Sequence, residues 1–236
     1  MSPARGTVAG VTAPQVARCY VDNDWLCGQY LSDYRPELTD ATVQHLWITV
    51  VSVAAGLAVA LPLALLARRN PRFESLVVGG TTIVYTIPSL ALFSLLLPIT
   101  GLSATTVIIG LALYSLTILV RNVLAGLRAV PADVVESARG VGYSETRLLT
   151  RVELPLALPV IMAGLRVATV STVALVTVGS IVSYGGLGNL LLSGFNSNFK
   201  AQILTASVLC VLLAVAFDLV LVVLQRALTP WTRHAR

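Results

Sequence analysis

Apolar residues fall into five long blocks along this chain. A helix that crosses a bilayer needs roughly 20 consecutive, mostly apolar residues, and each block approaches or exceeds that length. The first covers about residues 43–67 and the second about 75–99, and neither contains a formal charge. The third, about 103–120, stops at Arg121; the fourth, about 156–182, holds one charge, Arg166; the fifth, about 201–225, holds one, Asp218. Buried helices of a large soluble protein are the other way to hide such blocks. With 236 residues, 56% hydrophobic and 11% charged, too little polar sequence is left to cover them, since an ordinary soluble domain is about 25% charged. The expected fold class is an all-α integral membrane protein of five transmembrane helices over residues 43–225, with a tail at 1–42 and a short tail at 226–236.

The charges lie mostly between the blocks, and their distribution sets an orientation. Lys and Arg collect in the cytoplasmic loops of membrane proteins. Arg68, Arg69 and Arg72 in the first loop, Arg121, Arg128, Arg139, Arg147 and Arg151 in the third, and Arg226, Arg233 and Arg236 in the C-terminal tail share one side. Only Arg5, Arg18, Arg35 and Lys200 fall on the other. The N-terminus is therefore expected outside and the C-terminus in the cytoplasm. The net charge of +5 does not point to nucleic acid, because it is divided among short clusters between apolar runs. The outer tail is net acidic, with Asp22, Asp24, Asp33, Glu37 and Asp40, and shows no apolar core of a signal peptide. It would place Cys19 and Cys27 in an oxidising compartment, where a disulfide and an unpaired tail are both open. Without a CxxC pair, and with only His45 at a membrane edge and His234 in the tail, no metal site is expected.

The third loop, residues 121–155, is long and patterned. Pro131 suits a helix start and Asp133 complements the positive end of the helix dipole, which predicts a short helix over 133–139. Gly140 and Gly142 end it. Ser144 caps a second helix from Glu145 to about Val152, stopping near Leu154-Pro155. Five Arg stand against Asp133, Glu136, Glu145 and Glu153. A lipid-binding patch would be one-sidedly basic, whereas mixed charges beside Val134, Val135, Val141 and Tyr143 fit docking to a protein.

Within this loop Glu136-Ser137-Ala138, three residues, Gly142, nine residues, then Val152-Glu153-Leu154-Pro155 resembles the EAA loop of ABC-importer permeases, whose pattern is Glu-Ala-Ala, three residues, Gly, nine residues, Ile-x-Leu-Pro. Ser137 and Val152 are the two departures, both small in character. Further segments, among them Tyr85-Thr86-Ile87-Pro88-Ser89, residues 113–122 and 151–166, and Gly185-Gly186-Leu187-Gly188, resemble the osmoprotectant subgroup, which moves glycine betaine, choline, carnitine or related quaternary amines. The likeness covers about residues 40–228. It implies a type I ABC-importer permease fold in a bacterial cell membrane. It also implies two copies of a cytoplasmic ATP-binding subunit, a second permease subunit, identical or homologous, and an extracytoplasmic substrate-binding protein. The loop would act as a coupling helix: Glu136 facing polar groups of the ATPase, Ser137 and Ala138 allowing close approach, Gly142 making the turn, and Leu154-Pro155 setting the angle of the fourth span. ATP would be bound by the partner and no cofactor by this chain.

The interior offers few chemical groups. No G-x-x-x-x-G-K-[ST] phosphate loop, HExxH or GxSxG occurs, so no enzyme is expected. Arg166 and Asp218 sit at similar depth, and ionisable groups in a span are costly unless paired or functional; they are expected to pair, or Arg166 to face a partner permease or water-filled cavity. Pro62, Pro88 and Pro159 should bend or break their helices. Tyr85, Pro88, Tyr114 and Phe195 are pathway candidates, while Trp47 and Tyr184 fit interfacial anchors better. The outer segment at 183–200 is either a re-entrant or gating loop built on Gly185, Gly186 and Gly188, or a flexible connector. An importer of amino acids, methionine or another small solute is the rival cargo class. A secondary transporter would need inverted repeats and coupling-ion carboxylates, which are not visible beyond Asp218.

Overall fold

The computed structural model describes residues 18–231, and among them the chain is mostly helical with no strand. Two short helices, α1 (Arg18–Val21) and α2 (Gly28–Asp33), precede α3 (Arg35–Ala67), which starts eight residues before the apolar block because Pro36 and Glu37 suit a first helical turn. Asn70 accepts a hydrogen bond from Arg72 N at 2.9 Å and Pro71 occupies the first turn, so α4 (Pro71–Thr86) follows at once. It is succeeded by α5 (Ser89–Thr100) and α6 (Ala104–Arg128). Two small helices, α7 (Ala132–Gly140) and α8 (Glu145–Leu148), lead through a π-helical turn at Leu149–Glu153 into α9 (Leu154–Val176), whose end tightens into a 3₁₀ segment at Thr177–Val182. The chain closes with α10 (Leu187–Asn196) and α11 (Lys200–Leu228).

Four helical stretches are long and apolar enough to cross a membrane, and the bent pair α4–α5 makes a fifth. The block expected at 75–99 is broken at Pro88, as the proline implied: the pair turns by 98° at Ile87-Pro88. Pro62 and Pro159 behave differently from expectation and lie inside unbroken helices. α6 also runs past Arg121 to Arg128, so the loop after it begins later than the sequence implied.

α6 is the most buried span and packs between α3 and α9. Lipid tails are as apolar as Leu, so packing between spans is driven by close van der Waals contact, which small residues permit. Gly56 on α3 lies where a Cβ would meet Ser115 Oγ at 2.0 Å, and Gly164 on α9 where one would meet Asn122 Cβ at 2.2 Å. Ala60, Ala64 and Ala67 join Leu119, Val120, Val123 and Ala157 in one apolar cluster, and Ile48, Phe93, Val107, Leu111 and Val176 form a second nearer the other end. α11 lies outside this core. It touches α9 and α10, and no residue of its most apolar stretch is buried.

The N-terminal segment is fastened to the α10–α11 corner. Cys19 and Cys27 form a disulfide, with Cα atoms 5.4 Å apart. Asn23, in the left-handed conformation that Asn tolerates, donates to Asn198 O at 2.7 Å and accepts from Lys200 N at 3.0 Å. Tyr20 and Tyr30 flank Phe199, stacked at 5.8 Å and edge-on at 5.2 Å.

Two measurements check this packing. A Cβ on Gly188 would lie 2.3 Å from Thr177 O, whereas one on Gly79 would meet nothing within 4 Å. Gly188→Ala should lower the thermal unfolding midpoint of the purified protein by the equivalent of about 1–3 kcal/mol, and Gly79→Ala should leave it nearly unchanged. The second concerns pH. Burial, then the Asp33 hydrogen bond, push the Tyr20 hydroxyl from its ordinary 10.0 up to about 12, and burial does the same for Tyr30. The fold favours their neutral forms, so their contribution is full below pH 10 and disappears as pH rises to about 12. Hydrogen exchange of residues 18–34 should accelerate in that window, and a Tyr20→Phe/Tyr30→Phe chain should lack the step.

Candidate functional site

The turn between α7 and α8 is built by its glycine. Gly142 has φ +85°, Tyr143 N donates to Ala138 O at 3.1 Å and Gly142 N to Arg139 O at 2.9 Å, the paired bonds that close a helix around a left-handed residue. Ser144 then caps α8 by accepting from Arg147 N. Arg139 reaches Glu145 at 3.3 Å, and the Arg147 guanidinium lies 5.2 Å from the Tyr143 ring centre. α7 has no buried residue; Glu136 and Ser137 are exposed, Ala138 is half-buried, and Val141 at the tip is 79% exposed. Leu148, 1% exposed, plugs α8 into the bundle.

The second helix does not stop at Leu154-Pro155. It continues into α9, giving one helical shaft from Glu145 to Val182. Proline lacks an N–H and its ring crowds the carbonyl four residues back. The wider turn at Leu149–Glu153, with Leu154 N bonded to Leu149 O, makes room for Pro155 without ending the helix. Val152 and Leu154 are half-buried at this base. Glu153 meets Arg68 at 2.6 Å, which ties the shaft to the α3–α4 turn, while Arg128 at the end of α6 pairs with Glu74 on α4. These residues, with Arg69 and Arg139, line a groove of about 520 Å³ beside the α7–α8 turn.

Tyr85, Pro88 and Tyr114 come together at the break between α4 and α5. The Tyr114 hydroxyl donates to Ile87 O, and the Tyr85 and Tyr114 rings meet edge-on at 5.7 Å. Thr117 Oγ1 donates to Thr81 O at 2.6 Å and Arg121 to Thr82 Oγ1 at 2.9 Å. α6 thus supplies hydrogen-bond donors along the inner face of a helix that proline has interrupted, as a bilayer requires.

Arg166 and Asp218 face each other across α9 and α11. Arg166 Nε donates to Asp218 Oδ1 at 2.8 Å and its terminal nitrogen to Oδ2 at 2.9 Å, a two-pronged pair with both side chains 34% exposed. The pair lies in a cleft of about 620 Å³ lined otherwise by small and aliphatic side chains and Ser171.

The segment at 183–200 is an ordered tight turn followed by α10, packed on α11 and the 3₁₀ segment, and not a flexible connector. Of its four glycines, Gly185, Gly186, Gly188 and Gly194, only Gly186 has a positive φ, +54°. Gly185 and Gly188 serve close approach, to Ser180 and Thr177. His45, expected at a membrane edge, is fully buried beside Gly186; its Nε2 donates to Val173 O at 2.9 Å, and Gln44 accepts from Gly186 N at 3.0 Å. The hydrophobic pattern could not mark these two polar residues, because they sit at the first polar edge of an apolar block. Trp47 and Phe195 are exposed, and Tyr184 packs against the second apolar cluster. His234 lies outside the described residues.

Residues 52–234 match the family described as "Binding-protein-dependent transport system inner membrane component". The chain belongs to that family. It is a multi-pass inner-membrane permease component. It is 35% identical over 202 residues to the choline transport system permease protein OpuBB of Bacillus subtilis (strain 168), covering 86% of this chain and 93% of that protein. It is 34% identical to the osmoprotectant import permease protein OsmW of Salmonella typhimurium, covering 85% and 96%, and 35% identical to the carnitine transport permease protein OpuCB of Listeria monocytogenes, covering 80% and 87%. The fold is that of the permease in inward-facing structures of the MetNI methionine ABC transporter, with a TM-score of 0.77 at 22% identity over 86% of this chain and 100% of the other.

The α4–α5 break in this permease yields a direct check. Tyr114→Phe keeps the ring but leaves the Ile87 carbonyl without its donor. The loss should destabilise the protein by about 1–3 kcal/mol, read as a lower thermal midpoint, while Tyr85→Phe should have a smaller effect.

Proposed function

We propose that this chain is the translocation subunit of an ATP-driven importer of quaternary-amine osmoprotectants such as glycine betaine, carnitine or choline. The observation that carries the coupling role is the single shaft from Glu145 to Val182, with an exposed helix, α7, hinged on Gly142 at its base. Glu136, Ser137, Ala138 and Val141 present a small, mixed surface suited to a cleft in a cytoplasmic ATP-binding subunit. Force applied there reaches α9 directly, because neither Pro155 nor Pro159 breaks the helix. The Arg68–Glu153 and Arg128–Glu74 pairs hold the neighbouring turns, so that the shaft tilts as part of a body instead of bending locally. The cargo class is supported by the names of the relatives, three of which specify choline, carnitine or osmoprotectant import.

On this reading α7 lies in the cytoplasm and the disulfide-fastened N-terminal segment lies outside. Two ATPase copies dock below, a second permease subunit completes the pathway, and a binding protein delivers cargo from above. The chain performs no chemistry of its own; ATP is held by the partner subunits.

Docking is tested by co-purification. Val141→Asp and Glu136→Arg should each reduce recovery of the ATP-binding subunit by about tenfold or more, as expected for a residue at the centre of a small interface. Thr146→Ala, exposed on α8, should reduce it little. Undiminished recovery with both Val141→Asp and Glu136→Arg would sink the coupling role of α7.

A further inference from the structure

We propose that the α9–α11 cleft around Arg166 and Asp218 is a transit site for zwitterionic quaternary amines. In it the carboxylate of the cargo takes over Arg166, and the trimethylammonium group takes over Asp218. The inference rests on the cargo class above and narrows it.

Four observations carry the site. The pair is deep: Arg166 lies about 18 Å along α9 from Leu154, and Asp218 about 15 Å along α11 from Leu228, at 1.5 Å per residue. Both side chains are open, 34% exposed, into a cleft of about 620 Å³ on the outer face of the described chain. An open ion pair set against acyl chains is costly, so this face meets water or protein, as the wall of a pathway does. Apart from Ser171, the rest of the wall is small or aliphatic, with Val167, Val170, Val215 and Leu219. A site without an aromatic face holds a quaternary ammonium weakly, which suits passage and not capture.

Charge balance selects the ligand. The guanidinium grips a carboxylate through two parallel bonds, as it now grips Asp218. A zwitterion can replace each partner by a group of the same sign, so the exchange brings no net charge into the low-dielectric interior. Choline has no carboxylate. It cannot take Arg166 from Asp218, and it adds an uncompensated positive charge beside Arg166. Glycine betaine and carnitine are therefore favoured over choline within the membrane, whatever a binding protein delivers.

The test uses the permease–ATPase complex in nanodiscs, without binding protein, probed by saturation-transfer NMR with glycine betaine and with choline. Glycine betaine should give a saturable signal in the millimolar range, and choline one at least about tenfold weaker, as expected for losing a hydrogen-bonded charge partner. The double variant R166Q/D218N, which removes both charges together, should lose the glycine betaine signal while still assembling. Comparison of the two ligands on the unaltered complex needs no variant, so it decides the matter even if the double variant fails to assemble. Equal signals from the two ligands, or a glycine betaine signal that survives R166Q/D218N, overturns the site. Uptake by the complete transporter in proteoliposomes separates the two readings. Glycine betaine uptake without NMR contact removes the transit site alone, and the absence of uptake of glycine betaine, carnitine and choline removes the cargo class and the site with it.

Discussion

A backbone carbonyl in a bilayer has no water to turn to, so every interruption of a helix must be repaired from within the protein. This constraint governs how the chain uses its prolines. At Pro88 the helix turns by 98° and the Tyr114 hydroxyl takes the Ile87 carbonyl. At Pro155 the turn before it widens and the helix continues. One residue type therefore produces a corner in one place and a shaft in another. The difference lies in the neighbours: α6 offers hydroxyl donors to the first, and the π turn lets the second satisfy itself.

The shaft organises the rest. α9 begins at the exposed α7–α8 turn, is pinned at its base by Glu153 to Arg68, and carries Arg166 near mid-depth. Its inner face packs on α6 through Gly164 and Ala157, where backbones approach too closely for slack. α11 lies outside the core and is held mainly by α9 and α10, with its first turn also fastened to Asn23 and the start of α3. On the proposed reading, a tilt of α9 imposed from below moves against the close contacts with α6 and bears on the Arg166–Asp218 pair and the Gln225–Pro159 hydrogen bond that join α9 to α11. On the proposed reading this links the motor side to the place where cargo passes.

The opposite end is constrained by different means. There the chain has short helices and exposed polar groups, and order comes from the Cys19–Cys27 link, the Asn23 clasp and the Phe199 aromatic contacts. Gly186, pressed against the buried His45, brings the α9–α10 turn onto α3.

Run length and charge placement alone determined that this is a membrane protein of five apolar blocks, and the spacing of Glu136, Gly142 and Pro155 marked the α7–α8 turn that is proposed to couple. Those features are local: hydropathy adds along a segment, and a glycine turn needs only its own residues. What tertiary structure decided was whether each proline bends or passes, that 183–200 contains a packed helix, that Cys19 meets Cys27, and that Arg166 grips Asp218 with both prongs. Depth along two helices made that pair conceivable but could not fix the rotation of either helix about its axis. The rotation depends on which small residues α6 and α9 press together, and a linear sequence does not specify that contact.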